Sequence, residues 1–233
     1  MNKFWNFIRN ETGERVLRLD GAISDTTWYG DEIIPQQFRD ELNSGEGDIT
    51  VRINSPGGDV FAASEIYNML KEYRGRVTVK IDALAASSAS IVAMAGDTIE
   101  ISPLGQIFLH DPETMAEGNV GEFNSAIQML QEVKEGIITI YEQRTHLPRA
   151  QISELMTAAT WLNAKKSVEL GFADKIIGEE NPQQIAQPAA SFSQRTVTNS
   201  LSTAFKAKRA AEEKPAVKCA RRRRRLKVIE QFL

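Results

Sequence analysis

The sequence predicts an α/β protein built on a largely parallel sheet. Two stretches in which apolar and polar residues alternate, Asp48-Ile-Thr-Val-Arg-Ile-Asn54 and Arg76-Val-Thr-Val-Lys-Ile-Asp82, each read as a strand. Between them Val60, Ala63, Ile66, Tyr67 and Leu70 recur at helical spacing. Strand, helix and strand in that order form a βαβ unit, and repetition of such units places a parallel sheet between helices. The chain of 233 residues, 42% hydrophobic and 25% charged, is long enough for one full core plus an extension.

The elements follow in order. A strand over Val16-Leu-Arg-Leu-Asp20 leads through a turn to a helix from Pro35 to Asn43, and strand 48–54 leads to a helix from Val60 to Tyr73. Strand 76–82 precedes an apolar, buried helix from Ala89 to Ala95, and two short strands come next, Thr98–Ile101 and Gln106–His110. From Val120 to Arg144 a long helical pattern carries apolar residues on more than one face, among them Phe123, Ile127, Val133 and Tyr141. That is more apolar surface than one helix needs to cover one core. His146, within Arg144-Thr-His-Leu-Pro148, is expected to end this helix and face solvent.

Three segments carry chemistry. Asp82-Ala-Leu-Ala-Ala-Ser-Ser-Ala-Ser90 places the hydroxyl of Ser87 among small side chains, between a strand and a helix start. A serine hydroxyl is a weak nucleophile until a base removes its proton, and small neighbours let another segment approach closely enough to do so. The helix start leaves the first N–H groups unpaired, so the Ser88 N–H can donate to an oxyanion. Asn54-Ser-Pro-Gly-Gly58 follows the other strand; its glycines can adopt positive φ and aim an N–H outward, which makes Gly58 the second candidate donor. Phe108-Leu-His-Asp-Pro112 ends an apolar run on His110, the candidate base. Taken singly, each segment has a plain structural reading as a turn, a close-packed helix start or a partnered histidine; their combination is the parts list of a serine hydrolase.

In order and spacing these segments resemble the Clp proteolytic-subunit family of serine peptidases. An Asn-Ser-Pro-Gly-Gly turn, an Ala-Ala-Ser nucleophile turn, and a histidine with proline two residues on all match, and the likeness runs from about Leu19 to Ile177. Trp161-Leu-Asn-Ala-Lys-Lys-Ser-Val-Glu-Leu-Gly-Phe-Ala-Asp174 resembles the family's closing helix and strand. The resemblance implies Ser87 as nucleophile, His110 as general base and the N–H groups of Gly58 and Ser88 as oxyanion hole. It also implies the spiral α/β arrangement shared by Clp peptidases and crotonases, polypeptide substrates, no cofactor, and a protruding handle made by the long helix, through which heptameric rings stack into a closed chamber. Asn54–Ala63, Ile66–Leu70 and Ile91–Asp97 look most like the Clp-related head maturation proteases of tailed bacteriophages, whose implied partners are scaffold and capsid proteins. Met1–Arg9 does not resemble the family's axial segment for an unfoldase, so dependence on an ATPase partner is not expected.

One position departs from the pattern. The family's triad carboxylate stands two residues before the aromatic that corresponds to Trp161, and this chain has Ala159 there. Alanine neither orients an imidazole nor stabilises an imidazolium, and loss of that role in a serine triad lowers turnover by about four orders of magnitude. A Ser–His dyad, a third member supplied from elsewhere, or an enzyme silenced by substitution would each account for it. Glu154 and Asp111 are the acidic residues nearest in sequence, and neither is assigned the role. Two further classes stay open: a silent ring that serves assembly or binding, and a crotonase-type acyl-CoA enzyme that uses paired N–H groups on a thioester oxyanion.

Composition narrows the remaining classes. No apolar run reaches the roughly 18 residues of a membrane span, and Met1–Arg9 lacks the long apolar core of a secretion signal. Cys219 is the single cysteine, which excludes an internal disulfide and fits a reducing cytoplasm; two separated histidines and one cysteine do not make a usual zinc site. Charge divides the chain: residues 1–178 carry a net −10 and the rest +7, against −3 overall. The expected domain is therefore 1–178, followed from Glu179 by a flexible basic tail whose Arg221–Arg225 run suits phosphate chains or an acidic surface. Without interleaved aromatics, any contact of that run with nucleic acid would be electrostatic and sequence-independent.

Overall fold

A computed structural model describes residues 4–11, 13–23 and 34–178 of the protein. The basic tail expected from Glu179 lies outside the described residues. Within them eight strands form one sheet, in which β1 (Trp5–Arg9), β2 (Arg15–Asp20), β3 (Ile49–Ser55), β4 (Val77–Ala86), β5 (Thr98–Ile101) and β8 (Lys175–Ile176) lie side by side in that order. From β2 to β8 all neighbours run parallel, as the βαβ reading requires. Strand β1 was not expected from the sequence; it adds antiparallel to β2, with Trp5 opposite Leu19, and buries Trp5 against Phe38.

The core follows from alternation along these strands. Val51, Ile53, Val79, Ile81, Ile99 and Ile101 are fully buried, whereas Arg52 and Lys80 between them turn outward to pair with Asp82 and Glu100. Helix α1 (Ile34–Asn43) contributes Phe38 and Leu42, and α2 (Val60–Lys71) contributes Ala63, Ile66 and Leu70 at the expected spacing. Asp59 caps α2 by accepting from the Ala62 N–H at 2.7 Å.

Strand β4 is longer than expected and changes partner along its length, which positions the site. Thr78–Ile81 pair with β5, but Leu84–Ala86 pair with β6 (Gln106–Leu109). Between the two halves the register with β3 shifts, Ile53 facing Ile81 and Ser55 facing Ala85. The irregularity bends the strand. Its end is thereby carried away from β5 and set beside the ends of β3 and β6, at the carboxyl edge where parallel α/β sheets assemble sites. Sequence alternation stops at Asp82 because Ala83-Leu-Ala-Ala86 is apolar on both faces, which hid the last four residues of the strand.

Helix α3 (Ser88–Ala93) is wholly buried, and α4 (Val120–Thr145) spans 26 residues. Asn119 and Glu122 form a reciprocal capping box at the start of α4. At its end His146 adopts left-handed backbone (φ +58°), donates its N–H to Glu142 O and is exposed, as the sequence predicts. The second half of α4 packs on the core through Ile137, Ile138 and Tyr141, whereas Val120, Phe123 and Ile127 in the first half are exposed. Helices α5 (Arg149–Thr157) and α6 (Ala164–Glu169) bracket β7 (Thr160–Asn163), which pairs antiparallel with β6. Among the described residues no helix is long and apolar enough to cross a membrane.

Candidate active site

Ser87 occupies the turn between β4 and α3 in a strained backbone conformation, φ +54° and ψ −130°. Such a geometry costs about 1–3 kcal/mol for a residue with a Cβ and persists only where the surroundings enforce it. Here they do. The Ser87 N–H donates to Phe108 O at 2.9 Å, continuing the β4–β6 pairing, and the Ser87 carbonyl accepts from the Ser90 N–H at 2.9 Å and from the Ser90 hydroxyl at 2.5 Å. The Ser90 hydroxyl in turn lies 2.7 Å from the Tyr141 hydroxyl of α4. Burial pushes the Tyr141 phenol far above its ordinary range, so it stays protonated and donates to Ser90. Tyr141→Phe is expected to remove about 1 kcal/mol and to lower the melting temperature by about 2–4 °C. An unchanged melting curve would mean that this buried chain of hydroxyls does not support the turn.

The candidate base comes from the neighbouring strand. His110 follows β6 immediately, and its Nε2 lies 2.6 Å from Ser87 Oγ. For the hydroxyl to donate to Nε2 the ring must carry its proton on Nδ1. Sequence order alone separates the two residues by 23 positions; the parallel pairing of Ala86 with Phe108 brings them together.

The glycine turn lies against Ser87. A Cβ on Gly57 would stand 2.5 Å from Ala86 O, 2.7 Å from Ser87 Cβ and 2.9 Å from Ser88 N. Only glycine permits that approach. Gly58, at φ +152°, forms a parallel bridge with Ile23 in which Ile23 N–H donates to Gly57 O and Asp59 N–H donates to Ile23 O, each at 2.9 Å. Gly58's own N–H is left out of that bridge, and Ser88 N–H, first in α3, has no preceding turn to donate to. Neither has an acceptor among the described residues. One such donor in the Ser87 turn and another in the glycine turn packed against it suit an anionic oxygen.

Position 159, where the family pattern places a carboxylate, carries alanine. The β6–β7 register ends at the Leu109–Thr160 pair, and His110 and Ala159 are the residues that next leave the ladder at that end. Ala159 is exposed, with left-handed backbone at φ +50°. Asp111 points elsewhere: Lys134 Nζ stands 2.8 Å from its carboxylate, and Thr157 Oγ1 donates to it at 3.0 Å. Glu154 is exposed on α5. No acidic side chain hydrogen-bonds to His110 among the described residues. What does contact the imidazole was not singled out from the sequence: the Phe108 ring stacks on it, with centroids 5.4 Å apart and planes 16° apart, and Trp161 stacks behind Phe108 at 4.4 Å. Phe108 and His110 are two apart on one strand and share a face, a legible signal. The cross-strand partner Trp161 was not.

The chain is similar to known proteins over most of its length. A family model described as Clp protease matches residues 3–180. The chain is 27% identical over 175 residues to the ATP-dependent Clp protease proteolytic subunit 3, chloroplastic, of Arabidopsis thaliana, across 74% of this chain and 56% of that protein. It is also 27% identical over 168 residues to the ATP-dependent Clp protease proteolytic subunit of Porphyromonas gingivalis (strain ATCC BAA-308 / W83), across 70% of this chain and 74% of that one. The match thus spans little more than half the length of the first of these relatives.

Proposed function

The chain belongs to the Clp protease family, and on that premise we propose that it is a serine endopeptidase acting through Ser87. The single observation that carries the reading is the 2.6 Å contact between His110 Nε2 and Ser87 Oγ, in a turn whose backbone is held in a strained form. As Oγ bonds to the substrate's carbonyl carbon, its proton passes to Nε2 and the carbonyl electrons move onto oxygen, opposite the N–H groups of Gly58 and Ser88. Collapse expels the amine, which takes the proton from His110. Water then adds to the ester by the same route and releases the acid and Ser87.

The exposed apolar stripe of Val120, Phe123 and Ile127 on α4 supports pairing of this helix with a second copy, hence a homo-oligomer of stacked rings, heptameric by family resemblance. The motifs around Asn54, Ile66 and Ile91 support a role in phage head maturation, with scaffold and capsid polypeptides as substrates. A second reading, a silent ring that binds rather than cleaves, is favoured by Ala159 and by the absence, among the described residues, of a carboxylate at His110. Labelling with a fluorophosphonate, located by mass spectrometry, tests the first reading. Label is expected on Ser87, and Ser87→Ala is expected to lose both the label and any hydrolysis of denatured polypeptide, a fall of about 10⁶ in turnover for an active serine enzyme. Hydrolysis that survives Ser87→Ala would overturn the assignment.

A further inference from the structure

We infer that Phe108, braced by Trp161, is a positioning residue that orients the His110 imidazole in the place of a triad carboxylate. The inference rests on the reading of Ser87 and His110 as nucleophile and base. A histidine at the end of a strand turns about its outer torsion unless something holds the ring, because that torsion is broad. A carboxylate at position 159 would hold it by bonding Nδ1–H; alanine does not. The Phe108 ring lies nearly parallel to the imidazole with centroids 5.4 Å apart, an offset stack that turning the imidazole would break. Phe108 itself has little freedom. Trp161 stacks on it at 4.4 Å, directly across the β6–β7 ladder, and the Phe108 carbonyl receives the Ser87 N–H. One residue thereby fixes both partners, the nucleophile through its backbone and the base through its ring.

The same stack serves the charged state. When His110 takes the Ser87 proton it becomes a cation over an aromatic face, within the roughly 6 Å at which a ring quadrupole attracts positive charge. The attraction is weaker than that of a carboxylate. Loss of the ring is expected to slow acylation about three- to thirtyfold, against the roughly 10⁴ of a triad carboxylate. The ladder therefore supports a slow dyad, and its contribution shrinks once a carboxylate shares the task.

The full chain is tested by the rate of fluorophosphonate labelling of Ser87, with Phe108→Met and Phe108→Tyr each made on Ala159 and on Ala159→Asp. Phe108→Met is expected to slow labelling about tenfold in the Ala159 chain, and Phe108→Tyr, which keeps a ring, to recover most of that loss. In the Ala159→Asp chain the Met substitution is expected to cost less than about threefold, since two devices for one role are not additive. Equal losses in both backgrounds, or none, would make Phe108 merely structural and overturn the inference. Labelling seen only with Ala159→Asp would overturn it too, while leaving the peptidase reading intact. Absence of label in every variant would fail that reading and the inference with it. Should Phe108→Met not fold, proton NMR of the unsubstituted chain decides. With only two histidines, His146→Gln assigns the signals, and the His110 ring protons are expected upfield of those of exposed His146 by the Phe108 ring current; coincident shifts would overturn the stack.

Discussion

Replacing Ala159 by aspartate is expected to accelerate acylation of Ser87 by about two to four orders of magnitude. Position 159 lies one residue beyond the Leu109–Thr160 pair, at the end of the ladder that His110 also leaves. Paired and diagonal positions of antiparallel strands hold their side chains about 5–8 Å apart, within the combined reach of a short carboxylate and an imidazole. The backbone also suits it. At φ +50° Ala159 sits where a residue with a Cβ is disfavoured by about 1–2 kcal/mol, and aspartate and asparagine tolerate that region best. The control is Ala159→Asn, which meets the same backbone preference without charge. A large gain with Asp and a small one with Asn would identify a peptidase lacking only its third member. Equal rates in all three chains would mean that the imidazole is already fully oriented.

The second large effect concerns the glycine turn. In Gly58→Ala the new Cβ would stand 1.7 Å from Ile23 O, at a φ of +152° that side-chain-bearing residues rarely adopt. The obstacle is backbone, so it does not swing aside. Either the Ile23 bridge opens, with loss of the hydrogen bonds of Ile23 N–H and Asp59 N–H, or the turn moves off the nucleophile. Together the strain and the lost bonds amount to about 2–6 kcal/mol, a large share of the 5–15 kcal/mol typical of a domain. Displacement of the Gly58 N–H removes one oxyanion donor, which lowers turnover by about 10²–10³ where such donors act. A thermal melt reads the first effect, and hydrolysis well below the melting temperature, in the Ala159→Asp chain, reads the second. A variant that melts normally and hydrolyses normally would show that Gly58 neither needs its conformation nor donates to the reacting oxygen.

Tyr141 illustrates why part of the site escaped a reading of the sequence. In α4 it looks like one more apolar-face residue, at helical spacing from Ile137 and Ile138. Its hydroxyl matters because the fold buries it 2.7 Å from Ser90, which lies 51 residues earlier. Strand β1 escaped for a related reason: Trp5–Arg9 alternates weakly, and its place is set by the free edge of β2 rather than by its own pattern.

What the sequence determined by itself was local: the βαβ order, the core faces of β3 and α2, the end of α4 at His146, and the segments that bear Ser87, His110 and Gly58. These follow from periodicity, from small residues at a helix start and from glycines in a turn, all properties of neighbours along the chain. The missing carboxylate at Ala159 was legible too, though only against a family pattern. Tertiary structure alone decided the rest. The switch of β4 from β5 to β6 sets Ser87 beside His110, the β6–β7 register sets Trp161 against Phe108, and the Ile23 bridge leaves out the Gly58 N–H. Each of these joins residues far apart in the chain, and no local propensity records which strand edge a segment will meet.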